Sequence, residues 1–166
     1  EREDVRDCLI SKQNYVLETL PKNAVVGTGS LRRIVQIKKT RPDLEFVHIR
    51  GNLDTRLKKL AAGSCDAIIL AVAGLNRLKE IDVSRTYGLF MQPISIDVML
   101  PAAGQGAIAV EVNKGDDRVL NLMKAVNDEK TYYCVAAERS YLLSMGGGCR
   151  LPIACYASII GSELTL

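Results

Sequence analysis

The sequence has no apolar run long enough to cross a membrane, because a spanning helix needs about 18 or more largely uninterrupted apolar residues. Its longest apolar stretch, residues 67–75, is short and is interrupted by Gly74. Residues 1–4 have neither the basic start nor the apolar core of a secretory signal. We therefore expect a cytoplasmic protein that has no membrane partner.

The sequence also lacks the patterns of common metal and hydrolase sites. His48 is the single histidine, and there is neither a CxxC pair nor an HExxH motif. A structural zinc site or a Ser-His-Asp triad would have too few suitable residues, so we expect no metal. The five cysteines are odd in number and irregularly spaced, which is typical of reduced thiols in a cytosolic protein.

What the sequence does contain is a repeated plan of apolar segment, turn and helix. The apolar segments lie at 24–26, 46–50 and 66–72, and the helices that follow are expected to begin at Ser30, at Asp54 and near Gly74. In the first helix, residues 31, 34 and 35 are the expected apolar stripe. Buried strands that alternate with helices predict an α/β domain with a mostly parallel open sheet and flanking helices.

The second half of the chain follows another pattern. We expect a strand over 107–112, helices over 116–126 and 128–145, and a hairpin that turns at 161–162. A single hairpin is only marginally stable in water. The last residues are therefore interpreted as the start of a further α+β domain.

Positive charge is concentrated between Arg32 and Lys79, where eleven Lys or Arg stand against four Asp or Glu. A solvated basic face would explain this bias without any ligand. Nucleic-acid binding would call for aromatic residues that stack on bases, and Phe46 is the single aromatic residue in this block. We expect no nucleic-acid partner.

Several arginines lie where a helix disfavours them. With Ser30 as N-cap, Arg32 and Arg33 fall in the first turn, where an exposed cation opposes the helix dipole at a cost of about 0.3–1 kcal/mol. Arg56 and Arg77 are expected near the starts of the next two helices. A bound anion would reverse this penalty at all three turns.

The carboxyl ends of parallel strands meet at one crevice, so these turns are expected to converge there. The segment lacks the third glycine of GxGxxG and the GK[ST] ending of a P-loop, which favours carboxylates over a nucleotide. The predicted anion-binding residues are Thr28, Ser30, Arg32, Arg33, Arg50, Arg56 and Arg77.

Two further residues invite a chemical role. Cys149 follows three glycines and precedes Arg150, a cation that would favour the thiolate. Both covalent chemistry and an incidental loop thiol remain open for it on this pattern. His48 alternates with Phe46 and Arg50, and we expect it to line or pack rather than to catalyse.

Six segments of the chain closely resemble the hydroxymethylbilane synthases, also called porphobilinogen deaminases, and they occur in that family's order from the start of the chain to its end. They are VGTGSLRR (26–33), RPDL (41–44), RGNLDTRL (50–57), DAIILAVAGL (66–75), LPAAGQGA (100–107) and GGC (147–149).

The resemblance implies a transferase of porphyrin, tetrapyrrole and heme biosynthesis. Such enzymes join four porphobilinogen molecules head to tail, with loss of ammonia, onto a covalent dipyrromethane primer and release hydroxymethylbilane by hydrolysis. By the same resemblance, Cys149 carries the dipyrromethane cofactor through a thioether, and the seven predicted anion-binding residues contact cofactor and substrate. It also implies a monomer.

The resemblance divides the chain into three parts. Residues 1–104 would form a lobe like that of solute-binding proteins, 105–126 would return to a first domain, and 127–166 would begin a third domain that carries Cys149. The family's catalytic Asp is expected upstream of Glu1, so we expect the 166 residues alone to be inactive. The alternative is a carboxylate-binding module of the two-lobed solute-binding type, without catalysis.

Overall fold

The computed structural model describes residues 1–77, 82–147 and 151–166. A five-stranded sheet in the order β3-β2-β4-β1-β5 forms its centre. Its strands are β1 (Asp7–Ser11), β2 (Val25–Gly27), β3 (Glu45–Val47), β4 (Ala67–Ala71) and β5 (Phe90–Pro93). Strand β2 pairs in parallel with β3 and β4, whereas β1 runs antiparallel to β4 and β5. Four strands therefore share one direction, which confirms the predicted α/β class with a mostly parallel sheet.

Helices connect the strands and cover the sheet. They are α1 (Leu31–Thr40), α2 (Leu53–Ala61), α3 (Val72–Arg77) and α4 (Val83–Tyr87), and a 3₁₀ turn spans Leu17–Thr19. The central strand β4 is apolar throughout because side chains on both of its faces are buried. Ile68 packs in one core cluster with Leu57 and Leu60, and Ile69 packs in the other with Ile37.

The second half of the chain contains the two predicted helices, α5 (Asp117–Val126) and α6 (Glu129–Ser144). Asp116 and Asp128 cap them by accepting hydrogen bonds from the backbone amides three residues on. The predicted hairpin is confirmed as β6 (Ser158–Ile160) and β7 (Glu163–Thr165).

A buried ion pair ties helix α6 to the start of the chain. Arg2 donates to both carboxylate oxygens of Glu138, at 2.7 and 2.9 Å, and Glu138 is fully buried. The same carboxylate accepts hydrogen bonds from the backbone amides of Gly104 and Ala157. One glutamate therefore joins four segments that are distant in sequence.

The strands differ from the expectation in two ways. Residues 107–112 form no strand; Ile108 and Val110 are 74% and 61% exposed, so the alternating pattern has no strand to pair with in the described residues. Conversely, β1 and β5 were not predicted. They are short segments on one side of the sheet, and β1 begins with a buried aspartate that breaks the apolar pattern.

Helix α1 differs from its predicted apolar stripe. Leu31 and Val35 are 49% and 54% exposed, while the helix buries Arg32 and Ile37 against the sheet. Arg32 takes an inward position because β1 supplies a buried carboxylate for it, as described below.

Two predicted helix starts are also corrected. Asn52, not Asp54, caps α2, since its side-chain oxygen accepts a hydrogen bond from the amide of Thr55 at 2.9 Å. Helix α3 begins at Val72, directly after β4, so Arg77 is its sixth residue and lies beyond its first turn. The helix-dipole argument therefore does not apply to Arg77.

Candidate anion-binding site

A cleft of about 330 Å³ opens where β2 and β3 end and where α1 and α2 begin. The charged side chains among its described lining residues are those of Arg33, Arg50 and Arg56. This is the arrangement expected where the carboxyl ends of parallel strands meet. Its lining residues are Gly29, Ser30, Arg33, His48, Ile49, Arg50 and Arg56.

The turn after β2 sets the entrance to α1. The amide of Thr28 donates to the carbonyl of Val47 at 3.0 Å, which joins this turn to the end of β3. The buried Thr28 hydroxyl accepts a hydrogen bond from the amide of Ser30 at 3.3 Å. Ser30 occupies the N-cap position without a side-chain capping bond and lines the cleft. Thr28 thus shapes the turn from beneath, while Ser30 faces the opening.

Arg33 is held in place before any ligand arrives. Its Nη2 lies 2.7 Å from Oδ1 of Asp7, and its Nη1 donates to the carbonyl of Ile69 at 2.8 Å. Burial lowers the pKa of the Arg33 guanidinium, Asp7 opposes that effect, and the charges of Arg32 and Arg56 add to it. The arginine nevertheless stays charged at any physiological pH.

Arg32 points elsewhere and does not line the cleft. Its Nη1 lies 2.7 Å from Oδ2 of Asp7 and also donates to the carbonyl of Leu100. Its Nη2 reaches the side-chain oxygen of Gln105 at 3.4 Å, and the Arg32 side chain is 6% exposed. Arg32 therefore links α1 to β1 and to the segment around residue 100.

Asp7 is the residue that sequence reasoning missed. It is fully buried and accepts hydrogen bonds from Arg32, from Arg33 and from Gln105. The signal for it was an aspartate at the start of an otherwise apolar segment, Asp7–Ser11. A buried carboxylate needs paired cations to be stable, so this position indicates arginine partners.

Arg50 and Arg56 complete the cationic wall. Arg56 is oriented by its Nε, which donates to the carbonyl of Gly51 at 2.8 Å. The backbone carbonyl of Arg50 accepts a hydrogen bond from Lys59 at 3.0 Å. Within residues 1–77, 82–147 and 151–166, no hydrogen bond or ion pair engages the Arg50 guanidinium. Arg50 is therefore available for an anionic ligand.

The last two predicted site residues lie outside this group. Arg77 is exposed and its charge acts on Glu3, which also accepts a hydrogen bond from Asn76. Cys149 lies outside the described residues. The structure thus brings together Ser30, Arg33, Arg50 and Arg56, with Thr28 beneath them, and places Arg32 and Arg77 elsewhere.

A second cleft, of about 520 Å³, contains none of the predicted site residues. It is lined by both charge signs, with Arg2 and Arg6 beside Glu3 and Asp4. The carboxylates of Glu3 and Asp4 make it a poorer anion site than the smaller cleft. We therefore place the candidate site at the ends of β2 and β3.

The described part of the chain carries neither a cluster of metal-ligating side chains nor a helix suited to a membrane. Those residues contain no group of three or more His, Cys, Asp or Glu side chains that could hold a metal ion. None of their helices has the length and apolar character to span a bilayer.

Comparison with protein families decides the affiliation of the chain. Residues 1–121 match the family model described as porphobilinogen deaminase, dipyromethane cofactor binding domain, and residues 132–166 match the porphobilinogen deaminase C-terminal domain. The chain belongs to the porphobilinogen deaminase family. The resemblance noted from its motifs is thereby confirmed.

Curated relatives in this family align over nearly the whole chain. Porphobilinogen deaminase of Streptococcus sanguinis is 51% identical, over 100% of this chain and 54% of its own length. The enzyme of Lawsonia intracellularis is 47% identical, over 98% of this chain and 51% of its own. The chain spans about half the length of the curated relatives it matches.

Among solved structures, an arginine-specific periplasmic binding protein of Salmonella typhimurium aligns at 13% identity with a TM-score of 0.47. The alignment covers 79% of this chain and 56% of that protein. Similarity at this level does not bear on function.

The residues of the cleft fit the cofactor of this family. Dipyrromethane bears carboxylate side chains, and the cleft offers guanidinium groups and a hydroxyl, with no competing carboxylate from the part of the chain that the structure describes. The positive charges of the cleft, and its place at the first turn of a helix, favour the binding of such a polycarboxylate.

Proposed function

We propose that the protein to which this chain belongs is a hydroxymethylbilane synthase. It joins four porphobilinogen molecules head to tail, with loss of ammonia, and releases hydroxymethylbilane by hydrolysis. The observation that carries the proposal is the convergence of Arg33, Arg50 and Arg56 on one cleft, whose lining includes no carboxylate among the described residues. Family membership supplies the reaction, and the cleft supplies the recognition of its acidic substrate.

Each lining arginine has a separate part in binding. Arg33, fixed by Asp7 and Ile69, presents a preset donor edge, so little side-chain freedom is lost when a carboxylate binds. Arg56 is held by Gly51 through Nε, which leaves its terminal nitrogens for a ligand. Arg50 has a fully available guanidinium fork, which can pair with a carboxylate through two parallel hydrogen bonds.

The number of cations suits the substrate. Every pyrrole unit carries an acetate and a propionate, so a growing chain accumulates negative charge in the cleft. In a partly enclosed site these pairs are stronger than exposed surface pairs, which are worth about 0–1 kcal/mol. The backbone amides of the first turn of α1 add further donors.

We propose that dipyrromethane is attached through Cys149 and is held by Ser30, Arg33, Arg50 and Arg56. When bound, it supplies the primer to which porphobilinogen units are joined. Arg32 serves this site indirectly, because it shares Asp7 with Arg33 and so helps to fix the wall of the cleft.

The domain division is part of the same proposal. Residues 1–104 contain the whole five-stranded sheet, 105–126 leave it, and 127–166 hold α6 and the hairpin. We place the catalytic Asp in a part of the protein that precedes Glu1, and we place the protein in the cytoplasm as a monomer. The four described cysteines, all buried and free, are consistent with a reducing compartment.

Intact mass spectrometry of the full-length protein tests the function. We expect a mass above that of the sequence by one dipyrromethane, and loss of that excess in a Cys149→Ser variant. The wild-type full-length protein should convert porphobilinogen, as measured by colour after oxidation to porphyrin, while the 166-residue chain should give background only. A mass equal to that of the sequence alone, together with reversible carboxylate binding and no turnover, would favour the solute-binding alternative.

A further inference from the structure

His48 enters the same cleft as the arginines, although it is not one of the seven predicted anion-binding residues. It follows directly after β3, is exposed, and lines the opening together with Arg33, Arg50 and Arg56. The hydrogen bonds around this loop use Arg50, Gly51 and Asn52, and none in the described part of the chain uses His48. Both ring nitrogens are therefore open to a ligand.

The position of the ring depends on Gly29. A Cβ atom added at Gly29 would lie 2.8 Å from Cε1 and 3.0 Å from Nδ1 of His48. Such distances are shorter than van der Waals contact, so a side chain at position 29 would push the imidazole away. Gly29 does not have a positive φ, so its backbone does not require glycine. Glycine is needed at position 29 because its lack of a side chain leaves space for the His48 ring.

An imidazole in this place can serve as an additional group that binds a carboxylate. Its N–H group can donate to a carboxylate oxygen. The groups that face it are Arg33 from α1, Arg50 from its own loop, Arg56 from α2 and the hydroxyl of Ser30. A carboxylate held by these arginines would therefore lie beside the imidazole.

We propose that His48 contacts a carboxylate of the pyrrole substrate or of the primer, and that Gly29 is the residue that admits its ring to the cleft. This inference rests on the proposed function, because that function supplies the carboxylate ligand.

The test compares full-length variants, with KM for porphobilinogen and cofactor content as readouts. His48→Leu, which keeps bulk but removes the donor, should raise KM about fivefold to tenfold. His48→Gln, which keeps an N–H donor, should restore much of the affinity. Lys39→Gln, an exposed change at the far end of α1, is the matched control and should leave both values unchanged.

Gly29→Ala provides an independent arm. Displacing the ring should reproduce the effect of His48→Leu, and Gly29→Ala should add little in a His48→Leu background if both act through the imidazole. Equal melting temperatures would show that neither change acts by unfolding. A rise in KM with full cofactor loading would assign the contact to the substrate, whereas reduced loading by mass would assign it to the primer.

Unchanged KM and cofactor content in His48→Leu would overturn the inference and leave the proposed function standing. If the wild-type protein showed neither dipyrromethane nor turnover, the proposed function would fail. Calorimetric binding of porphobilinogen to the wild-type protein and to His48→Leu would then test the role of His48, and equal affinities would refute it.

Discussion

Replacing Asp7 by Asn should destabilise the protein more than the loss of a surface charge can explain. Asp7 is fully buried and lies 2.7 Å from a nitrogen of Arg32 and 2.7 Å from one of Arg33. Asparagine keeps the shape but leaves two poorly exposed guanidinium groups without their anion. Removing one partner of a buried pair costs about 3–5 kcal/mol, and here one carboxylate serves two cations.

Thermal melting of the full-length protein, followed by circular dichroism, measures this effect. A loss of at least about 3 kcal/mol corresponds to a fall in melting temperature of roughly 6–12 °C for a domain of 150–250 residues. Asp117→Asn, an exposed change in the first turn of α5, is the control and should shift the melting temperature by no more than about 1–4 °C, because a charge in the first turn contributes about 0.3–1 kcal/mol.

A second variant tests the mechanism rather than the magnitude. Arg32→Met should cost less stability in the Asp7→Asn background than in the unmodified protein, because it then removes a cation that has lost its partner. Equal costs in both backgrounds, or a melting temperature of Asp7→Asn close to that of Asp117→Asn, would refute the reasoning that Asp7 neutralises both arginines.

Three further predictions concern single residues. Arg50→Gln should raise KM for porphobilinogen about tenfold or more in steady-state assays without lowering the melting temperature, since its guanidinium lines the cleft and bonds to no residue that the structure describes; an unchanged KM would contradict its role. Burial raises the pKa of Cys8 to about 12, so iodoacetamide at pH 8 should leave it unlabelled in native protein, by peptide mass spectrometry, and label it in urea. Hydrogen bonds from Arg41 lower the pKa of Asp43 to about 2, so its stabilising contribution is present above pH 4 and lost as the pH falls through 2. The difference in melting temperature between Asp43→Asn and the unmodified protein should accordingly shrink over that interval, and a constant difference would count against the ion pair.

The strand and helix pattern predicted the fold and part of the site for a physical reason. Buried strands such as β4 must be apolar on both faces, and this leaves a strong signal in the sequence. Residues that follow neighbouring parallel strands, such as Ser30 and Arg50, meet at one edge regardless of the loops between them. Strand β1 carried no such signal, since it starts with a charged residue whose partners lie 25 and 26 residues away.

The neighbours Arg32 and Arg33 show where a local pattern stops being informative. Both lie in the first turn of α1, but successive residues of a helix point about 100° apart, so one faces the segment around Leu100 and the other the cleft. Their placement at the positive end of a helix predicted an anion, and the structure supplies one from within the protein, Asp7. The dipole argument therefore accounts for Asp7 first. The case for an external carboxylate rests on the cations that Asp7 does not reach, Arg50 and Arg56, and on the cleft-facing edge of Arg33.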